Sequence, residues 1–211
     1  MTPSPDRSRN EPLLQLVLVF VAVVAAMAVN YQAAVLAVVV AGVCWPPAVP
    51  WLPLRPGFVL GRYLPFAVVW LAATIGYLHL AHACGHSIRP QPQLVELGQH
   101  GAAHPQFWTL LFGIVVVAPV CEELFFRGYL FTAVRGVASS RVAQLLTAAA
   151  FGLVHGVDYA LPIAGLGLCF GWLRERTGAL LPSMLAHAVH NGLTLALTVC
   201  WPTHLQWMYP Q

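Results

Sequence analysis

Long apolar segments with few charges between them constrain the fold of this chain more than any other feature of its sequence. Residues 13–29, for example, contain no charged side chain, and similar segments recur to the end of the chain. Only 8% of the 211 residues are charged, about a third of the proportion found in soluble domains. So few charges cannot cover a surface that is in contact with water. The sequence therefore predicts an all-α, polytopic transmembrane helical bundle.

The apolar segments predict about seven spans, joined by polar or proline-rich connections. The predicted spans are residues 13–29, 33–45, 63–83, 107–131, 142–157, 161–173 and 178–201. Residues 1–12 are expected to form a disordered cytoplasmic tail and residues 202–211 a short C-terminal tail. The proline-rich segment 46–56 predicts a loop, because its five prolines prevent a regular helix. The polar segment 84–106 predicts a long outer loop.

The placement of arginine predicts the orientation of the bundle. All ten basic residues are arginines, and with a cytoplasmic N-terminus seven spans put nine of them on or near the cytoplasmic side. Only Arg89 falls outside, which fits the excess of positive charge in cytoplasmic loops. The use of arginine without lysine, with many Ala and Pro residues, suggests a GC-rich bacterial genome. We therefore expect a multi-pass protein surrounded by the lipid bilayer of the bacterial cytoplasmic (inner) membrane.

The composition excludes nucleic-acid binding and a framework of cysteines that bind zinc or form disulfides. The net charge of +3 is too thinly spread for nucleic-acid binding, which needs a basic stripe on one face. The five cysteines are scattered and show no C-x-x-C spacing, so neither a zinc knuckle nor a disulfide framework is predicted. They are expected to pack as small apolar side chains.

Residues 119–128 (PVCEELFFRG) place two adjacent carboxylates and an arginine inside an apolar segment. A charged side chain in hydrocarbon costs about 2.5 kcal/mol or more, so such residues indicate function by default. Glu123 and Arg127 lie four residues apart and can pair on one helix face, whereas Glu122 points about 100° away. Pro119 removes one backbone hydrogen bond just upstream. The alternative is a helix end at the interface, where both glutamates reach water.

Two later segments carry a histidine with a second notable residue one helical turn away. Phe151 and His155 lie four residues apart, and so do His187 and Asn191, which share a face of the last predicted span. His190 lies three residues after His187, at the edge of that face. A single histidine in such a helix is often only a hydrogen-bonded packing residue. Three polar points on three different spans, however, indicate a shared site.

A second group of histidines lies near the outer end of the third predicted span and in the loop after it. Its members are His79, His82, His86, His100 and His104. Imidazoles at this spacing could bind zinc or respond to pH. No Asp or Glu lies among these histidines at the spacing of a metal-binding motif, and Cys84 is the only cysteine that does. We therefore expect polar residues at a membrane interface, and the sequence assigns them no role.

The three patterns E-E-x-x-x-R, F-x-x-x-H and H-x-x-x-N follow one another in an order that resembles the CPBP family of intramembrane proteases. That family includes the type II CAAX prenyl endopeptidases and bacterial relatives linked to bacteriocin self-immunity. The resemblance covers about residues 105–200, whereas residues 13–104 match it only in being apolar. It implies that residues 105–201 form a catalytic membrane core that hydrolyses a peptide bond of a membrane-associated or exported peptide.

The resemblance also implies roles for the residues that carry it. Glu122 would be the general base that activates water, and His155 would hold or polarise that water. His187 and Asn191 would donate hydrogen bonds to the developing oxyanion. The full candidate set comprises the catalytic residues Glu122, Glu123, His155, His187 and Asn191, with Arg127 and Phe151 orienting the site.

A bound metal is the main alternative within this mechanism. Glu122, His155 and His187 together would suit a zinc ion with one position open for water. The chain has no H-E-x-x-H motif, and the amide of Asn191 suits an oxyanion donor better than a metal ligand. The sequence therefore favours catalysis without a cofactor, with zinc as the alternative.

Two non-enzymatic functions compete with proteolysis. Glu122, Glu123 and His155 could relay protons or ions in a transporter, although the inverted repeats typical of transporters are not visible in the sequence. An immunity-type binding protein could also keep the protease scaffold without turnover. The sequence identifies neither the substrate nor whether it is prenylated.

Overall fold

The computed structural model describes residues 5–210, and within that range all regular secondary structure is helical, with no β-strand. The nine helices of the described range are α1 (Pro5–Met27), α2 (Tyr31–Cys44), α3 (Pro56–Ala83), α4 (Pro92–His100), α5 (Phe107–Val137), α6 (Ser140–Val154), α7 (Ala160–Thr177), α8 (Leu181–Cys200) and α9 (His204–Met208). Short 3-10 turns lie at Gly101–Ala103 and Val157–Tyr159. The predicted all-α class is confirmed.

Two of these helices, α3 and α5, are long and apolar enough to cross a membrane by length and composition. Shorter apolar stretches lie in α1, α2 and α6. An apolar helix needs about 20 residues to cross the hydrocarbon of a bilayer. The total of about seven spans and the cytoplasmic N-terminus stay predictions.

The N-terminal hairpin begins earlier than the sequence predicts. Helix α1 starts at Pro5 and continues through Pro12, so most of the expected tail is helical; residues 1–4 of that tail lie outside the described range. A proline within a helix removes one backbone hydrogen bond, and the neighbouring turns of α1 keep theirs. Asn30 then begins α2, because its side-chain oxygen accepts a hydrogen bond from the backbone N–H of Ala33 at 2.8 Å.

The two connections predicted as loops are more ordered than expected. In the proline-rich loop, Trp45 O accepts hydrogen bonds from the side chains of Gln15 at 2.8 Å and Tyr129 at 3.0 Å. Helix α3 begins at Pro56, since the fixed φ and missing N–H of proline suit the first helical position. The polar segment 84–106 contains α4, which buries Leu97 completely and packs against α8.

Helices α6 and α7 form a closely packed pair. A Cβ atom added to Gly152 of α6 would lie 2.1 Å from the backbone oxygen of Ala160, so only glycine fits this crossing. Helix α7 continues past the predicted end at residue 173 to Thr177, where Gly178 ends it in the left-handed conformation with φ 67°. Helix α8 consequently begins at Leu181 and not at residue 178.

All five cysteines are free, and only two of them pack inside the bundle. Cys121 is buried and Cys169 half-buried, whereas Cys44, Cys84 and Cys200 are exposed. The expectation of apolar packing is wrong for these three because each lies at the end of a helix, where neighbouring helices no longer cover it.

Helix α8 lies at the centre of the helices that form the site. It packs against α3, α5 and α7, and its inward face contains Ala186 and His187, both buried. The motif-bearing helix α5 and the aromatic side chains of α6 and α7 therefore meet along one side of α8.

Candidate active site

Two π-helical turns flank the paired glutamates in α5. The helix is π-helical at Gly113–Val117 and at Leu124–Leu130, and α-helical between them at Ala118–Glu123. Hydrogen bonds in a π turn span five residues instead of four, and such turns are frequent at functional sites. The glutamates thus end a short α-helical segment between two wide turns.

Glu123 and Arg127 form an ion pair that is completely buried. Arg127 Nη1 donates to Glu123 Oε1 at 2.9 Å, and the two side chains are 1% and 0% exposed, respectively. Arg127 Nη2 also donates to Gly167 O of α7 at 3.0 Å. Its guanidinium carbon lies 4.3 Å from the ring centre of Phe151, within cation–π range. The pair expected from the spacing is therefore present, and it joins α5 to α6 and α7.

His187 of α8 approaches the same buried carboxylate. Its Nδ1 atom lies 3.0 Å from Glu123 Oε1. A carboxylate paired with Arg127 is ionised and only accepts, so Nδ1 carries the hydrogen and donates. The ring stacks on Phe170, with centroids 4.8 Å apart. These contacts fix the imidazole so that its Nε2 atom lies 3.8 Å from Glu122 Oε2.

Glu122 lies where two imidazoles meet. Its Oε2 atom is 3.6 Å from Nε2 of His155 and 3.8 Å from Nε2 of His187. His155 Nδ1 donates to Phe151 O at 2.7 Å, so a neutral ring presents a lone pair at Nε2. Glu122 Oε2 has no hydrogen-bond donor in the described part of the chain. Three acceptor atoms thus face one another: Oε2 of Glu122 and the Nε2 atoms of His155 and His187. Either a shared proton or a water molecule that donates its O–H groups must lie between them.

Asn191 of α8 borders the site and bonds to the backbone of α5. Its side-chain Nδ2 donates to the backbone oxygen of Ile114 at 2.8 Å, in the first π turn of α5. Asn191 and Glu122 nevertheless border the same cavity. An amide has two N–H groups, so one N–H remains besides the one that bonds to the backbone of α5.

Helix α3 contributes two side chains that the sequence reasoning did not include. The hydroxyl of Tyr63 lies 2.7 Å from Nδ1 of His190, and the edge-on ring of Trp70 lies 4.7 Å from the His190 ring. Tyr63 and Trp70 are seven residues apart, which is two helical turns and hence one face. That spacing was the signal available in the sequence. His190 is thus held from α3 at the cavity wall.

A cavity of about 720 Å³ extends from Glu122 to the end of the bundle formed by α4 and α9. This volume lies in the range of about 300–1,000 Å³ that is usual for ligand sites. Its polar wall contains Glu122, His155, His187, His190 and Asn191, and apolar residues such as Trp70, Ile163, Leu166 and Leu195 complete it. The predicted site residues of three helices therefore converge on one large cavity.

The donors present do not form a metal site as they stand. Zinc needs three or four protein donors about 2.0–2.3 Å from one point. Among residues 5–210, no three His, Cys, Asp or Glu side chains are arranged to hold a metal ion, and this includes Glu122, His155 and His187.

The outer histidines have separate partners instead of a common centre. Their contacts are His79 with Trp207 O at 2.9 Å, His82 with Ser87 at 2.8 Å, His86 with Asp158 at 2.8 Å, His100 with Glu96 O at 3.0 Å and His104 with Glu96 at 3.0 Å. These bonds connect the ends of helices and the loops around the mouth of the cavity, which fits the expected role as polar residues at an interface.

Comparison with known proteins gives one family match. Residues 104–193 match the family Rce1-like, described as type II CAAX prenyl endopeptidase Rce1-like. No curated protein matches the chain, and no solved structure matches it. The matched segment contains all three motifs and every candidate site residue.

Proposed function

We propose, from the match of residues 104–193 to the family described as type II CAAX prenyl endopeptidase Rce1-like, that the chain is an intramembrane endopeptidase in which Glu122 activates the attacking water. One observation carries the proposal: the Glu122 carboxylate lies 3.6 Å and 3.8 Å from two imidazole Nε2 atoms at the wall of a large cavity. The family match favours a protease over a transporter.

In the first step, a water molecule between Glu122 and His155 gives a proton to Glu122. The oxygen of this water molecule attacks the carbonyl carbon of the scissile peptide bond. That carbon becomes tetrahedral, and its carbonyl oxygen becomes an oxyanion. Glu122 suits this step because Oε2 has no donor within the described chain and is free to accept a proton. General-base assistance of this kind contributes about 10²- to 10⁴-fold to a rate.

His187 and Asn191 supply donors for the oxyanion. His187 donates through Nδ1 to Glu123, and when the proton shared at the site lies on its Nε2 atom, the ring also donates to the oxyanion. Asn191 borders the same cavity, and its second amide N–H would be the other donor. Collapse of the intermediate breaks the C–N bond, and the proton held by Glu122 passes to the leaving amine nitrogen. The carboxylate of Glu122 is thereby restored.

We propose that the substrate is an exported or membrane-associated peptide and that the protein is a multi-pass protein of the bacterial cytoplasmic membrane. The cavity reaches the bundle end at Gln91 and His204, whereas Arg135 and Arg174 lie at the opposite ends of their helices. With the arginine end in the cytoplasm, as the positive-inside bias indicates, the peptide reaches Glu122 from outside. The largely apolar cavity wall suits an apolar stretch of the peptide.

The decisive experiment uses the full chain in lipid nanodiscs with a library of apolar synthetic peptides in H₂¹⁸O. Hydrolysis places one ¹⁸O atom in the new C-terminal carboxylate, which mass spectrometry detects. Glu122→Gln keeps the size of the side chain but removes the base, so its rate should fall at least about 100-fold with an unchanged Tm. Glu96→Gln, at an exposed glutamate, is the matched control. Wild-type activity in Glu122→Gln, or cleavage of no peptide by the wild type, would contradict the proposal.

A further inference from the structure

Pro119 leaves one backbone carbonyl of α5 without a partner in its own helix. In the first π turn, the N–H of Ala118 donates to Gly113 O, five residues earlier. The next donor in this register would be residue 119, and its bond would go to Ile114 O. Proline has no N–H, and the donor four residues after Ile114, Ala118, is already used.

The missing donor comes from α8. Asn191 Nδ2 donates to Ile114 O at 2.8 Å. We infer that the Asn191 amide replaces the N–H that Pro119 lacks, which makes Asn191 a positioning residue that fixes the register of α5 against α8. A buried carbonyl without any partner is costly, so this side-chain bond stabilises the π turn and not only the contact between two helices.

The bond lies close to the reacting groups on both helices. Glu122 follows Pro119 by three residues, and His187 precedes Asn191 by four, one turn along α8. The separation of 3.8 Å between Glu122 Oε2 and His187 Nε2 is therefore bounded by two links between α5 and α8. One link is the bond from Asn191 to Ile114, and the other is the bond from His187 to Glu123.

This role differs from donation to an oxyanion, the role that the family resemblance implies for Asn191. An oxyanion donor acts on the substrate, so the backbone at residue 119 has no influence on its effect. If the Asn191 amide instead replaces the N–H that Pro119 lacks, its bond is needed only while residue 119 is proline. The activity part of the inference rests on the proposed protease function, whereas the stability part does not.

A double-mutant cycle with Pro119→Ala and Asn191→Ala tests the inference, with Tm in detergent as the deciding measurement. Asn191→Ala should lower Tm by about 3–10 °C, because Ile114 O loses its partner. In a Pro119→Ala background the same change should cost less than half as much. Ile114 O then has a backbone donor in either register, from residue 119 in a π turn or from residue 118 in an α turn.

Peptide cleavage gives the second measurement. Asn191→Ala should reduce kcat about 100-fold with little change in KM, as expected for displaced catalytic groups. Leu193→Ala, at an exposed position of the same helix, should change neither Tm nor kcat. Equal Tm losses from Asn191→Ala in both backgrounds would overturn the inference. The Tm cycle can be read even if no peptide is cleaved, so failure of the proposed function is distinguished from failure of the inference.

Discussion

Nδ1 of His187 lies 3.0 Å from Oε1 of Glu123. This bond determines which ring nitrogen carries a fixed hydrogen and which nitrogen faces Glu122. Glu123 is completely buried and is not among the residues that border the cavity. The orientation of an imidazole in the site is therefore set by a carboxylate that does not meet the substrate. Arg127 sets the position of that carboxylate in turn.

Replacement of Arg127 by Met should destabilise the protein strongly, because Glu123 would keep a buried charge without its partner. The loss of one member of a buried pair costs about 3–5 kcal/mol, so thermal unfolding in detergent should show a Tm lower by roughly 10 °C. Arg135→Met is the control, since Arg135 lies exposed on the same helix. The double variant Glu123→Leu with Arg127→Met should recover part of the loss. Equal Tm changes in the Arg127 and Arg135 variants would contradict the role of the buried pair.

Replacement of His155 by Gln should reduce kcat by about 10²- to 10⁴-fold, because the water beside Glu122 loses the imidazole that holds it. The fold should persist, since Nδ1 of His155 bonds within its own helix, to Phe151 O. His82→Gln provides a histidine control at the outer end of α3. Steady-state cleavage assays with circular dichroism separate the two effects. An unchanged kcat in His155→Gln would show that this imidazole takes no part.

Prolonged treatment with a strong chelator should leave the cleavage rate unchanged. The three donors suggested for zinc are not arranged as a metal site in the described structure, and the proposed steps use only side chains. Elemental analysis of the active, purified protein should find less than one zinc per chain. Activity that is lost on chelation and restored by added zinc would instead support the zinc alternative.

A tryptophan at position 194 should obstruct the substrate cavity. Thr194 borders the cavity, whereas its neighbour Leu193 is 50% exposed on the outside of α8. Thr194→Trp should lower kcat/KM at least 10-fold, mainly through KM, because it removes binding space that ground state and transition state share. Leu193→Trp adds the same bulk outside and should leave kcat/KM near the wild-type value. Comparable losses in both variants would mean that the cavity is not the substrate route.

Three exposed cysteines allow the predicted orientation to be tested in intact cells. Cys84 and Cys200 lie at the cavity end of the bundle, and Cys44 lies at the other end. In variants that retain one cysteine each, a membrane-impermeant maleimide should label Cys84 and Cys200 from outside and should label Cys44 only after permeabilisation. The reverse pattern would place the N-terminus outside and the cavity mouth in the cytoplasm.

Local spacing predicted the contacts within two of the motifs because each of these motifs lies within two turns of one helix. Glu123 and Arg127 pair as their separation of four residues indicates, and Phe151 contacts His155 in the same way. The sequence does not show the two π turns of α5, since no periodicity of its residues marks the wider turn. The spacing of Tyr63 and Trp70 predicts only that they share a face of α3. Their contact with His190 depends on how α3 packs against α8.

The place of Asn191 shows the limit of assigning roles by motif. Its spacing from His187 predicts correctly that the two residues share a face of α8. It does not predict that the amide donates to Ile114 O, because that need arises from a proline 72 positions earlier in the chain. Only the three-dimensional arrangement brings the missing donor and its replacement together.

The first π turn gives α5 one residue more than an α-helical path of the same length would contain. Deletion of a single residue within Gly113–Val117 could thus be absorbed by a return to α-helical bonding. Residues before the deletion would keep their faces relative to the glutamates, because the π turn holds the extra residue locally. The spacing from Glu122 to Arg127 would be untouched. Natural length variation among relatives should therefore collect in this turn, ahead of an E-E-x-x-x-R motif that tolerates none.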